Sequence, residues 1–522
     1  MKTVLKKLAA VMICVAMLFS VCSAGAYAAD DETIITVSGE EELENLEFDV
    51  PVVYIMGLEG EFYKGLSTET EEDDVRIWGP DAGVIVKTVL KYIAPLTFRI
   101  LIRDYKGINK ISAEVANAIF GDFALDENGK PDPDTGKKTK PDYDYNNGFG
   151  YSKSYTFDYD WRLDMVTIAG QLDEYIEYVM ELTNTDKVAL VAMSMGTAVL
   201  STYLYEYYYT DENYAERNHI DSVVFIAGAL NGVATCEDSF SGNMSFDTVS
   251  LMRMMSELMR GKDGTDGIYK MIEILYSFGM LDPVVNYVNG LVKDIFANGF
   301  NDAACDSIGT VTGLYALMSP ERYKETRDYI FDTPEKKARF AKIIEASDYY
   351  HFNVQANSEK VIQSLLDDGI NTAIIAEYGL TIVPITSDND RMSDGTIATD
   401  RESFGATCAD VDGTLGEGYK QAKECECGKN HISADNQIDA STCAFPDITW
   451  FAKYVRHSCD ERYVGDLVDL IIYSDEQVTV WTYEDYPQYL VNLDDEKLVP
   501  LTAENAGTVL PYEETTMIKK FF

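Results

Sequence analysis

The sequence is poor in histidine and in positive charge. It contains 4 histidines among 522 residues, and 43 Lys and Arg side chains are outnumbered by 88 Asp and Glu, giving a formal net charge of -45. Such a negative field repels polyanions, so nucleic acid is excluded as a partner and contact with lipid surfaces is expected to be transient at most. The scarcity of histidine also limits the choice of a general base to His219, His351, His431 and His457.

Long apolar runs are nearly absent as well. After residue 28, no segment reaches the ~18 uncharged apolar residues that a membrane-spanning helix needs. The first residues differ, because three lysines precede an apolar stretch over 8–21, which is followed by Ala26-Tyr27-Ala28. This pattern is typical of a secretory signal peptide. We therefore predict a cleaved signal peptide over 1–28 and a secreted, extracellular protein, with an uncleaved anchor as the less favoured alternative.

Cysteines occur in an odd number beyond this segment. The seven that follow residue 28 are Cys236, Cys305, Cys408, Cys425, Cys427, Cys443 and Cys459. Export permits disulfides, so some pairing is expected, with at least one thiol left over. Cys236 and Cys305 lie within one predicted helical insertion, and we hypothesise that they pair and brace it.

Two segments carry the residue types of metal sites without the usual spacing. Cys425, Cys427, His431 and Cys443 could form a zinc site, but C-x-C with a histidine after three further residues is not a familiar zinc spacing, and export favours disulfides. Residues 126–136 resemble a calcium loop, yet Lys137 stands where such a loop needs a carboxylate. We therefore predict a plain turn region there, and neither a metal nor an organic cofactor.

Strands and helices alternate along most of the chain. Apolar strands are predicted over 51–56, 155–159, 187–193, 221–229, 372–377 and 448–455, and helices over 165–182, 195–209, 357–367 and 466–473. Uninterrupted apolar strands separated by amphipathic helices predict an α/β fold, with a mostly parallel sheet covered by helices on both faces. Residues 232–345 are predicted to form a helical cap inserted between two core segments, 29–231 and 346–522. The second core segment carries a Cys-rich insertion over 404–445.

The strand over 187–193 leads directly into a candidate nucleophile, Ser194. The segment Ala192-Met193-Ser194-Met195-Gly196 has the A-x-S-x-G form of a nucleophile elbow, in which small residues let strand and helix approach closely and the serine projects from a strained turn. The placement between a buried strand and a helix predicts the α/β-hydrolase fold. The backbone N–H of Met195 is a predicted oxyanion donor, and the Gly-rich turn after the first strand suggests the N–H of Leu58 as the second.

The acid and the base should follow the nucleophile in that order. Asp394, in Ser393-Asp394-Gly395-Thr396, is the predicted acid, with Asp388, Asp390 and Asp400 as competitors in the same loop. His457 follows the last clear strand, where it can reach the carboxyl edge of the sheet, so we predict it as the base. His431 is the alternative base. His219 is predicted at the surface, and His351 as a packing or surface residue.

Four motifs together resemble the lecithin:cholesterol acyltransferase family, which includes lysosomal phospholipases and transacylases. They are Tyr159-Asp160-Trp161-Arg162, the elbow at 192–196, the acid segment at 393–396 and the turn Met56-Gly57-Leu58. The similarity runs from about residue 51 to residue 457, with insertions. The chain departs from the family at Met193, where His is usual, and at Thr197, where a second Gly is common. The resemblance implies acyl-ester chemistry on lipids, with a cap over the active site.

These observations predict a secreted serine ester hydrolase or O-acyltransferase of lipase, phospholipase or esterase type. Its partner would be a small-molecule or lipid acyl ester, and the oligomeric state stays open. A peptidase on the same fold and a catalytically silent binding protein are the alternatives. Methionines are frequent in the cap, where they would suit varied acyl chains or simply fill its core: Met244, Met252, Met254, Met255, Met259, Met271 and Met280.

Overall fold

A computed structural model describes residues 50–66, 75–78, 121–137, 154–259, 266–297, 300–425, 427–457, 460–493 and 497–507, with isolated positions between 91 and 114. The predicted signal peptide over 1–28 and Cys459 lie outside the described residues. Among the helices that are described, none is both long and apolar enough to cross a membrane.

An eight-stranded sheet forms the centre of the structure. Its strands are β1 (Val52–Ile55), β2 (Ser154–Phe157), β3 (Val188–Met193), β4 (Ile220–Ile226), β5 (Asn371–Tyr378), β6 (Thr449–Lys453), β7 (Tyr489–Asn492) and β8 (Leu498–Pro500). They lie in the order β8-β7-β6-β5-β4-β3-β1-β2, and every neighbouring pair is parallel except β7 with β8. The mostly parallel sheet predicted from the sequence is therefore confirmed.

Helices cover both faces of this sheet and bury its central strands. The longer core helices are α1 (Met165–Thr183), α2 (Gly196–Leu204), α3 (Ser358–Asp367) and α4 (Asp460–Ile472). In α1 the apolar residues recur at helical spacing, and Ile168, Leu172 and Ile176 are fully buried. Asp164 caps this helix by accepting from the Thr167 N–H, and Asn184 ends it in the left-handed conformation. The predicted helix over 195–209 changes at residue 205 to a π-helix, Tyr205–Tyr209, and a short helix Tyr214–Arg217 follows.

A helical insertion separates β4 from β5 and lies largely within residues 232–345. Its helices are Ala234–Ser241, Thr248–Met259, Asp266–Ser277, Asp282–Ala297, Phe300–Ala304, Thr312–Tyr315, Pro320–Ile330, Pro334–Arg339 and Ala341–Tyr349, and a π-helix Tyr350–Val354 continues the last of them. The insertion packs onto the loop after β5, because Met244, Phe246 and Val285 form a buried cluster with Ile385. Ser250 Oγ also donates to the Asn389 carbonyl at 3.1 Å. The cap and the loop of the predicted acid are therefore packed against each other.

The predicted brace of this insertion does not form. No disulfide joins Cys236 to Cys305, and their sulfur atoms lie close to the backbone carbonyls of Leu314 and Asp302 respectively. The predicted Cys236–Cys305 disulfide is therefore wrong. The remaining described cysteines (Cys408, Cys425, Cys427 and Cys443) are free thiols.

Several short elements were not predicted from the sequence. A three-stranded antiparallel sheet joins Phe62–Lys64 to Val75–Trp78 and Thr135–Lys137. The loop after β5 contains the pair Leu380–Thr381 and Met392–Ser393 and a short helix Thr399–Glu402. Within the Cys-rich insertion, Thr407–Cys408 pairs with Ile438–Asp439. Strands of two or three residues are too short to show a hydrophobic period, so their pairing depends on tertiary contacts.

The calcium-like segment forms a turn, as predicted. The Asp126 carboxylate accepts the backbone N–H groups of Asn128 and Lys130 at 2.8 and 2.9 Å. Asp132 accepts from Asp134 N–H at 3.0 Å in the same way. These carboxylates form local Asx turns.

Candidate active site

Ser194 stands on a strained turn between β3 and α2. Its φ of 53° lies in the left-handed region, which costs a non-glycine residue free energy and is held only by its surroundings. Gly196 permits the turn, because a Cβ there would lie 2.3 Å from the Ile55 carbonyl oxygen of the neighbouring strand. The serine lies at the carboxyl end of β3, where the predicted elbow placed it.

Thr197, in the first turn of α2, stabilises this elbow by hydrogen bonds. Its hydroxyl donates to the Ser194 carbonyl at 2.6 Å and accepts the Ala229 N–H at 3.1 Å. The side chain is fully buried, so both bonds are shielded from water. From the sequence, Thr197 was only a departure from the family pattern. Its anchoring role depends on Ala229, which lies in the connection between β4 and the cap.

The three predicted residues come together at one edge of the sheet. Ser194 Oγ lies 2.8 Å from His457 Nε2, and His457 Nδ1 hydrogen-bonds to Asp394 Oδ2. The His457 backbone N–H also donates to the Asp394 carbonyl at 3.2 Å. Since a serine hydroxyl, an imidazole and a carboxylate are joined in series, the arrangement can remove the proton from Ser194 and stabilise the imidazolium that results.

The acid loop aims Asp394 by local backbone bonds. Asp394 Oδ1 accepts the N–H groups of Thr396 and Ile397, both at 2.6 Å, which leaves Oδ2 for His457. Gly395 has a φ of 100°, so the tight turn needs a glycine there. Ser393 Oγ, donating to the Leu380 carbonyl at 3.0 Å, anchors the other side of the turn.

The three competing carboxylates of this loop are either exposed or paired with an arginine. Asp388 is exposed, Asp390 forms an ion pair with Arg253 at 2.6 Å, and Asp400 forms one with Arg391 at 2.8 Å. Asp394, by contrast, is fully buried against His457. The geometry therefore selects Asp394 among the four candidates.

The environment raises the pKa of His457. Burial alone lowers the pKa of the imidazole, but the charge of Asp394, its hydrogen bond and the charge of Glu59 outweigh that effect. The side chain of His457 is 16% exposed, so solvent and small groups can reach it. A base of raised pKa accepts the serine proton more readily, provided that the solution is alkaline enough to leave it neutral.

A second buried carboxyl group lies behind Asp394. Burial, together with the charges of Asp394 and Glu377, raises the pKa of Glu402 well above its ordinary value. Glu402 Oε2 accepts the Glu377 N–H at 2.6 Å. The raised pKa means that Glu402 holds its proton to higher pH than an ordinary glutamate, so it adds less negative charge beside Asp394. No sequence pattern indicates Glu402, because its burial depends on the packing of the Thr399–Glu402 helix.

The turn after β1 approaches the nucleophile closely. A Cβ on Gly57 would lie 2.9 Å from the Ser194 Cβ, so glycine alone fits there. The Glu59 N–H donates to the Gly57 carbonyl at 2.9 Å, which closes a tight turn around Leu58. Leu58 and Met195, the predicted oxyanion donors, therefore lie in the two backbone segments that adjoin Ser194.

The Tyr-Asp-Trp-Arg segment supports this turn. Tyr159 Oη donates to the Met56 carbonyl at 2.9 Å, and Trp161 Nε1 donates to the Glu59 carbonyl at 3.1 Å, so the two bonds hold both ends of the turn. Arg162 is fully buried, where it pairs with Asp160 at 2.6 Å and lies over the Phe62 ring. The motif thus positions backbone near Ser194 through buried contacts.

The other three histidines are buried and do not contact Ser194. His219 is buried, not at the surface as predicted, and hydrogen-bonds to Tyr203 Oη, while burial lowers its pKa to about 4. His351 packs in the core as predicted, stacked on the Tyr323 ring with centroids 3.9 Å apart, and burial lowers its pKa to about 4. His431, the alternative base, is buried beside Cys427 in the Cys-rich insertion and not beside Ser194.

The comparison with known families agrees with this architecture. A family model described as alpha/beta hydrolase fold matches residues 146–263, which include β2, β3, the elbow and β4. No curated protein matches the sequence. The family match and the eight-stranded, mainly parallel sheet show that the chain has the α/β-hydrolase fold, and this fold indicates a hydrolase.

Proposed function

We propose that this protein is a secreted serine hydrolase or O-acyltransferase that acts on lipid-like acyl esters. The observation that carries the catalytic part is the 2.8 Å contact between Ser194 Oγ and His457 Nε2, with Asp394 bonded to the other ring nitrogen. Secretion rests on the signal-peptide pattern of residues 1–28.

The proposed reaction passes through an acyl-enzyme. His457 Nε2 takes the Ser194 hydroxyl proton while Oγ forms a bond to the ester carbonyl carbon, and the negative charge moves to the carbonyl oxygen. The backbone N–H groups of Met195 and Leu58 donate to this oxyanion. When the tetrahedral intermediate collapses, the leaving alcohol takes the proton from His457. Water or a second alcohol, deprotonated by His457, then attacks the acyl group and restores the serine.

Two features favour a lipid-like substrate over a peptide. The first is the resemblance of four motifs to lipid acyltransferases and phospholipases. The second is the end of the Asp266–Ser277 helix, which presents four large apolar side chains to solvent: Ile274, Tyr276, Phe278 (76% exposed) and Met280. A local apolar patch on a cap suits contact with a lipid surface or with an acyl chain, even on an acidic protein. Met244 and Met252, by contrast, are buried and belong to the core.

A fluorophosphonate probe tests the catalytic proposal. We expect it to label the wild-type protein and the Ser201→Ala variant, since Ser201 is a buried serine of α2, but not Ser194→Ala. An unlabelled wild type would favour the silent binding protein. Esters of graded acyl length, with and without an alcohol acceptor, then define the substrate, whereas faster turnover of amides than of esters would favour a peptidase.

A further inference from the structure

A cluster of metal-binding residue types lies outside the candidate active site. Cys425, Cys427, His431 and Asp447 each offer one ligand atom, and these four atoms all lie within 4.8 Å of one another. In the sequence, Cys443 is the nearest further cysteine to the first three residues and the candidate fourth ligand. In the structure Cys443 packs in a separate apolar cluster near Cys408, and Asp447 takes the fourth position.

From this cluster we infer that Cys425, Cys427, His431 and Asp447 bind a structural Zn²⁺ ion. Zinc bonds of ~2.3 Å to sulfur and ~2.0–2.1 Å to nitrogen or oxygen place neighbouring ligand atoms of a tetrahedron about 3.3–3.8 Å apart. The distances here are close to that range. Cys427 Sγ lies 3.1 Å from His431 Nε2, and Asp447 Oδ1 lies 3.6 Å from His431 Nε2 and 4.0 Å from Cys425 Sγ. Two thiolates and an imidazole favour zinc over the harder calcium and magnesium ions.

The groups around the cluster orient its ligands as they do in zinc proteins. His431 is fully buried, and its Nδ1 hydrogen-bonds to Gln488 Oε1 at 2.8 Å, which turns Nε2 toward the sulfur atoms. Trp481 Nε1 donates to Asp447 Oδ1 at 2.8 Å. The Lys429 N–H points to Cys427 Sγ at 3.4 Å. Such outer bonds fix the histidine tautomer and hold a carboxylate and a thiolate in place.

The position of the cluster assigns it a structural role. Asp447 precedes β6 at its amino end, whereas His457 follows the carboxyl end of the same strand. Five strand residues separate the two ends by about 17 Å at ~3.3 Å per residue. Four protein ligands also leave no open position for substrate. The ion would instead clamp the Cys-rich insertion to the strand that carries His457.

Metal content is the direct test. The full chain, purified without a polyhistidine tag and dialysed after exposure to Zn²⁺, should retain about one zinc per molecule. Cys427→Ser and Asp447→Asn should lose most of it, while Cys443→Ser, a thiol of the same insertion outside the cluster, should keep it. Retention by Cys427→Ser, or equal loss in Cys443→Ser, would overturn the assignment.

Measurements on the wild type keep the test independent of variant folding. Co²⁺ added to the metal-free protein should give the visible absorption of a tetrahedral site and a thiolate charge-transfer band. Mercurial titration should release one zinc as two thiols react. A Cys425–Cys427 disulfide in the purified protein, or rapid alkylation of Cys427 at full zinc occupancy, would refute the site. Labelling of Ser194 by the fluorophosphonate is read separately, so the two proposals fail independently.

Discussion

The substitution Thr197→Val tests whether the buried hydroxyl next to the elbow holds Ser194 in its strained geometry. Valine keeps the shape of threonine but removes the donation to the Ser194 carbonyl and the 3.1 Å acceptor of the Ala229 N–H, which keeps a longer contact of 3.3 Å to the Ser194 carbonyl oxygen. A buried neutral hydrogen bond contributes about 0.5–1.5 kcal/mol net, so losing one and weakening a second should lower the free energy of unfolding by about 1–2 kcal/mol.

The effect on catalysis should exceed that on substrate binding. With a φ of 53°, Ser194 relaxes toward ordinary backbone geometry when its anchor is removed. Because misplacement by ~1 Å can cost on the order of 100-fold in rate, we expect kcat to fall by about 10-fold or more, with KM little changed. Ester hydrolysis measures kcat and KM, and urea unfolding measures the free energy of unfolding.

Thr202→Val is the matched control. Thr202 is also a fully buried threonine of α2, but its hydroxyl donates to the Ala198 carbonyl, one turn back in the same helix. It should lose about 1 kcal/mol or less of stability and keep its kcat. Equal kcat values for Thr197→Val and Thr202→Val would show that the elbow does not depend on this hydroxyl.

Three further predictions concern the surroundings of Ser194. The value of kcat/KM should fall as the pH drops through the His457 pKa, which lies above 6.5. Asp394→Asn should move this acidic limb of the pH profile to lower pH and cut kcat by about 10³–10⁴-fold. An acidic limb that does not move would contradict the contact between Asp394 and His457. Trp161→Phe removes the bond to the Glu59 carbonyl and should lower kcat about 10-fold, while Trp450→Phe, which loses a bond to Tyr486, should leave kcat unchanged. Glu402→Gln should become more stable than the wild type as the pH rises above ~4.5, by up to ~1.4 kcal/mol per pH unit. The reason is that the wild-type carboxyl group stays protonated in the folded state but ionises in the unfolded state. A difference in urea midpoints that does not change with pH would refute the raised pKa.

The local sequence determined the core strands and the elbow because their signals are local. The apolar runs before Ser194 and before Asn231 appear as β3 and β4. Small residues around a serine between strand and helix indicated the tight turn. The chain order of nucleophile, acid and base, together with four histidines, favoured Asp394 and His457 over their alternatives. In the structure His457 contacts Ser194, and Asp394 contacts His457.

Contacts between distant segments escaped sequence reasoning. The burial of His219, the absence of a Cys236–Cys305 disulfide and the anchoring by Thr197 each depend on which segments meet in space. The same holds for β7 and β8, which are too short to show a clear hydrophobic period: β7 pairs with β6, and β8 pairs with β7.

The zinc-type cluster illustrates this division. The sequence by itself supplied Cys425, Cys427 and His431 within one short segment, but spacing argued against a metal. Tertiary structure alone brought Asp447 to them and carried Cys443 away into an apolar cluster. Sequence determines which ligand atoms are available, since side-chain chemistry is local, whereas their convergence on one point depends on the path of the folded backbone.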